Sequence, residues 1–84
     1  MTTITLADRI ATLVESASSG TVSREQALDP ASTLTEKGLT SLSFLQLIDA
    51  IETELGIYID LEGDTAFLQT VDGISTYVTE QGGQ

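Results

Sequence analysis

The chain has 84 residues, 13 of them acidic and 3 basic, for a formal net charge of −10 at neutral pH, and it contains no cysteine, histidine, tryptophan or asparagine. That composition excludes a disulfide framework, a thiolate or imidazole metal centre, and any Cys/His or Ser/His catalytic pair. A field of this sign also repels nucleic acid and anionic lipid while attracting basic protein surfaces.

A chain of this size buries roughly 60–65% of its unfolded surface, so one simple core and a single domain over residues 1–84 are expected. No basic start followed by an apolar signal-like run occurs, and no stretch approaches the roughly 18 apolar residues of a membrane span, so no membrane association and a cytoplasmic location are expected.

The first helix is predicted from about Thr5 to Ala17, because Leu6, Ile10, Leu13, Val14 and Ala17 fall on one stripe at helical spacing. Thr5 with Asp8 has capping-box spacing, and Ser18-Ser19-Gly20 ends the helix. From Gly20 to Thr40 runs a stretch of little periodicity holding Pro30, with Ser23 and Gln26 spaced for a short capped turn. Leu28 and Leu34 are expected to pin it to the core.

The second helix, about Ser41 to Leu55, is the clearest, and Gly56 closes it. Phe44, Leu47, Ile48, Ile51 and Leu55 share one face, while Leu42, Leu45, Gln46, Asp49 and Glu52 form another. Ile57-Tyr58-Ile59 reads as an extended connector with Ile57 and Ile59 inward, because so short a run has no strand to pair with. Asp60 is expected to cap a short helix over about Leu61 to Phe67, with Phe67 and Leu68 packing inward. Thr70 then caps a last helix, about Val71 to Thr79, that turns Val71, Ile74, Tyr77 and Val78 inward. The fold class expected is all-α: a small four-helix bundle of three main helices and one short one, with a long first loop.

Ser41, in Gly38-Leu39-Thr40-Ser41-Leu42, stands where a glycine turn feeds an apolar helical run. Its hydroxyl is expected at the exposed mouth of the helix, where partly positive N–H groups favour an attached phosphate. Helix capping alone also explains a hydroxyl there, since Thr40 can cap a helix beginning at Ser41 and Ser43 with Gln46 has capping-box spacing. The apolar pair Leu42 and Leu45, bordered by Gln46, Asp49 and Glu52 and next to Thr40, reads as a docking patch for a partner.

The run Leu34-Thr35-Glu36-Lys37-Gly38-Leu39-Thr40-Ser41-Leu42, continued through Leu45, Leu47, Ile48, Ile51, Glu52, Leu55, Gly56 and Ile57-Tyr58-Ile59, resembles the acyl and peptidyl carrier proteins over nearly the whole chain. The resemblance implies that Ser41 accepts a 4′-phosphopantetheine arm from coenzyme A, placed by a separate phosphopantetheinyl transferase with magnesium. The arm then carries acyl, aminoacyl or ketide groups as thioesters. It implies a carrier rather than an enzyme, a monomer that visits acyl- or aminoacyl-loading and condensing enzymes with basic docking surfaces. Fatty-acid, polyketide and stand-alone peptidyl carriers remain open, and a start at Met1 with no flanking domain favours a discrete protein. In one respect the chain departs from the pattern: the family usually has aspartate before the serine, and Thr40 keeps the capping oxygen without a carboxylate.

Two other readings use the same residues. In one, the protein is an acidic adaptor that docks a basic partner through the second helix, with Ser41 only a cap. In the other, Asp60, Glu62 and Asp64 form a catalytic cluster, although such a run is usually a solvated surface and its spacing does not make a calcium loop.

Overall fold

The computed structural model describes residues 5–60, 62 and 65–82. Three long helices, α1 (Leu6–Ala17), α4 (Ser41–Leu55) and α5 (Val71–Glu80), enclose the core together with two short ones, α2 (Arg24–Leu28) and α3 (Leu34–Lys37), and a 3-10 helix, Ala66–Gln69. The all-α bundle is the one expected, and α1 is the shared element, packing against α2, α4 and α5.

Local chemistry explains the helix starts. Thr5, Ser23 and Thr33 each accept the N–H three residues on, and Asp8, Gln26 and Glu36 reach back to the cap's own N–H, giving three complete capping boxes. At α3 this exchange holds the Glu36 carboxyl below its ordinary value of 4.5, chiefly through the Thr33 backbone N–H, then through the Thr33 hydroxyl, with Lys37 adding a smaller attraction. Gly56 closes α4 in the left-handed region, φ 69°, where a side chain is strained.

The core gathers Ile10, Ala11 and Val14 of α1, Leu47, Ile48, Ile51 and Leu55 of α4, and Val71, Ile74 and Val78 of α5, with Val22, Ala27, Leu34, Leu39, Ile59 and Leu68 from the segments between. The stretch Gly20–Thr40 is more ordered than its sequence suggests. The Ser23 box forms α2 as its spacing implied, whereas α3 has no apolar period and follows from burial of Leu34 together with the Thr33 box. Leu28 corrects the expectation for this stretch: Leu34 is fully buried, but Leu28 lies at the end of α2 and is 37% exposed.

In the connector Ile59 is buried, Ile57 is half-buried and Tyr58 points outward, 74% exposed. Among the described residues of the short helix expected after Asp60, Glu62 is not helical; its N–H donates to the Asp60 carboxylate at 2.9 Å, a bond that competes with a helix start. Leu61, Gly63 and Asp64 of the short helix expected there, and Asp64 of the acidic cluster, lie outside the described residues. The chain enters the 3-10 helix at Ala66, with Leu68 buried and the Phe67 ring stacked on Tyr77 at a centroid distance of 4.1 Å.

Candidate functional site

Ser41 owes its position to three residues before it. Gly38 ends α3 at φ 118°, its N–H on the Thr35 carbonyl, and Leu39 donates to the Leu34 carbonyl at 3.0 Å. Leu39 is then buried, which anchors the chain in the core two residues ahead of the serine. Thr40 is extended and caps α4: its hydroxyl oxygen accepts the Ser43 N–H at 3.2 Å and lies 3.1 Å from the Ser43 hydroxyl, to which it donates.

The competition among hydroxyls at this helix mouth is thereby resolved. Thr40 is the cap, Ser43 sits inside the first turn rather than opening a box with Gln46, and Ser41 is the first helical residue, exposed. Among the described residues the Ser41 hydroxyl has no hydrogen-bond partner, and neither do the backbone N–H groups of Ser41 and Leu42. The first turn of α4 carries no acid. A phosphate ester on this oxygen therefore meets unpaired donors and the positive end of a 15-residue helix, with no carboxylate of that turn to repel it. The donors present fit an attached phosphate group.

Lys37, the cation nearest Ser41 in sequence, is engaged elsewhere. Its ammonium donates to the carbonyls of Asp29 and Ser32 and ties α3 to the loop before it.

Beyond Ser41, α4 presents the residues singled out for docking. Leu42 and Leu45 are 65% and 57% exposed, a large outlay of apolar surface for so small a protein, and Gln46 and Asp49 are exposed beside them. Glu52 differs: it is half-buried and its carboxylate accepts the Ile59 N–H at 2.8 Å, so this acid also holds the connector against α4.

Sequence reasoning left out Leu39 as an anchor, although a signal was present. Leu39 precedes the cap and Phe44 is the fourth helical residue, the spacing of a hydrophobic staple, and both belong to the same core. Gln69 was also missed. Its side-chain oxygen accepts the Thr35 hydroxyl at 2.9 Å across 34 residues of sequence, and no local pattern announces such a contact.

No helix of the described residues is long and apolar enough to cross a membrane. The family model described as phosphopantetheine attachment site matches residues 8–78 of this chain. No curated protein and no solved structure matches it.

Proposed function

Since the chain belongs to the phosphopantetheine attachment site family, we propose that Ser41 is the residue that accepts 4′-phosphopantetheine and that the protein is a single-domain, monomeric, cytoplasmic carrier. It holds acyl or aminoacyl intermediates as thioesters and presents them to enzymes of fatty-acid, polyketide or nonribosomal-peptide type biosynthesis. Domains of this family are the sites of 4′-phosphopantetheine attachment, and a carrier role in general follows from membership.

One observation carries the assignment to Ser41: its hydroxyl is exposed at the first position of α4 and free of the capping duty, which Thr40 performs. In the transfer, the Ser41 oxygen bonds to the pantetheine-bearing phosphorus of coenzyme A. The phosphoanhydride bond to that phosphorus breaks, and adenosine 3′,5′-bisphosphate leaves with the electron pair. The serine proton passes to a base of the transferase, since among the described residues no base is hydrogen-bonded to the Ser41 hydroxyl and the first turn of α4 carries no acid. Once bound, the arm supplies the thiol that the cysteine-free chain lacks.

Leu42 and Leu45, flanked by Gln46 and Asp49, serve as a small contact patch for transferase, loading and condensing enzymes, with Thr40 and Glu52 at its margins. A net charge of −10 steers basic partner surfaces toward it, which suits brief visits to several enzymes better than a large apolar interface. The intact mass after incubation with coenzyme A, magnesium and a broad-specificity transferase tests the assignment. The wild-type protein gains one phosphopantetheine and Ser41→Ala gains none. An unmodified wild type beside a modified control carrier favours the acidic adaptor instead.

A further inference from the structure

Four-residue α3 delivers the chain to Gly38, Leu39, Thr40 and Ser41, yet a helix that short does not persist by its own hydrogen bonds. Part of its support comes from a residue 34 positions away in sequence. The Gln69 side-chain oxygen accepts the Thr35 hydroxyl at 2.9 Å and lies 3.4 Å from the Thr35 N–H, one of the donors that the start of α3 leaves open.

Gln69 is itself firmly placed. It ends the 3-10 helix, whose Leu68 is buried and whose Phe67 ring stacks on Tyr77 of α5. Thr70, the next residue, caps α5 through the Gly73 N–H at 3.0 Å. A side chain held by α5 thus reaches the helix that leads to Ser41, six residues along.

We propose that Gln69 is a positioning residue for Ser41, acting through Thr35 to hold α3 and the Gly38–Thr40 turn in the pose from which the serine hydroxyl is presented. The proposal rests on Ser41 being the attachment residue. Gln69 touches no reacting atom; its effect is on the orientation of the acceptor, which enters the turnover step more than the encounter.

Gln69→Met keeps the length of the side chain and removes the acceptor, whereas Gln69→Glu restores one. Amide hydrogen exchange on the unloaded protein reads the coupling directly. With Met, the Gly38, Leu39, Ser43 and Phe44 amides exchange faster while those of α1 keep their protection, and Glu returns them toward wild-type rates. In the transferase reaction the Met variant loses about three- to tenfold in kcat at unchanged KM, the range a single hydrogen bond commands. Thr35→Val reproduces the loss and adds nothing to Gln69→Met. Wild-type exchange at those four amides in Gln69→Met overturns the proposal, as does an unchanged kcat. If the wild-type protein fails to load beside a loaded control, the assignment of Ser41 fails, and the exchange comparison still decides whether Gln69 holds the turn.

Discussion

Ser41 and Thr40 are neighbours with different work. Thr40 carries the capping bond to the Ser43 N–H, and the Ser41 side chain contributes none to the fold. Their truncations are therefore expected to separate. Thr40→Ala loses a cap and destabilises by about 0.5–2 kcal/mol, while Ser41→Ala stays within about 0.5 kcal/mol of wild type, as read by urea denaturation. Equal losses would mean that Ser41 helps to start the helix, and the division between structural and chemical hydroxyl would not hold. The same division makes sense of a threonine in place of the family's aspartate. The capping oxygen is kept, and what is given up is a carboxylate that would stand beside the phosphate proposed for Ser41.

Among the elements, the junction of the 3-10 helix with α5 leaves the least room. Gly73 lies in the first turn of α5 with normal helical geometry, and a methyl built on it runs into the Phe67 carbonyl oxygen. Alanine is the better helix former by about 1 kcal/mol, so on an isolated helix the exchange would stabilise. In this bundle the collision with backbone is expected to reverse the sign, at a net cost of about 1–3 kcal/mol. It should also loosen the Phe67–Tyr77 stack, seen as a change in the near-ultraviolet tyrosine signal. A Gly73→Ala variant as stable as wild type would show that the 3-10 helix shifts freely on α5, and it would weaken the case for Gln69 as a fixed post.

For the whole molecule, one charge distribution acts in two directions. The stretch from Asp49 to Glu80 holds eight acids and no lysine or arginine follows Lys37, so self-repulsion disfavours the folded state while the same field draws basic partners. Raising the salt from about 10 to about 150 mM shortens the screening length severalfold. The melting temperature is expected to rise and the transferase KM for this carrier to increase over the same range. A KM indifferent to salt would remove electrostatic steering from the account. Millimolar magnesium that raises the melting point no further than sodium chloride at matched ionic strength would show screening rather than ion binding.

What the sequence by itself determined lies within single helical turns. The boxes at Thr5 and Ser23, the closing Gly56, the approximate bounds of α1 and α4 and the serine at a helix mouth are set by groups three or four residues apart, whereas that Leu42 and Leu45 stay outward depends on which face of α4 the other helices cover. Only the tertiary structure decided which hydroxyl caps α4, that Leu39 is buried while Leu28 is left partly in solvent, that Glu52 turns to the connector, and that Gln69 meets Thr35. Those outcomes depend on which surfaces meet across tens of residues, and a contact of that kind leaves no period or spacing in the chain to read.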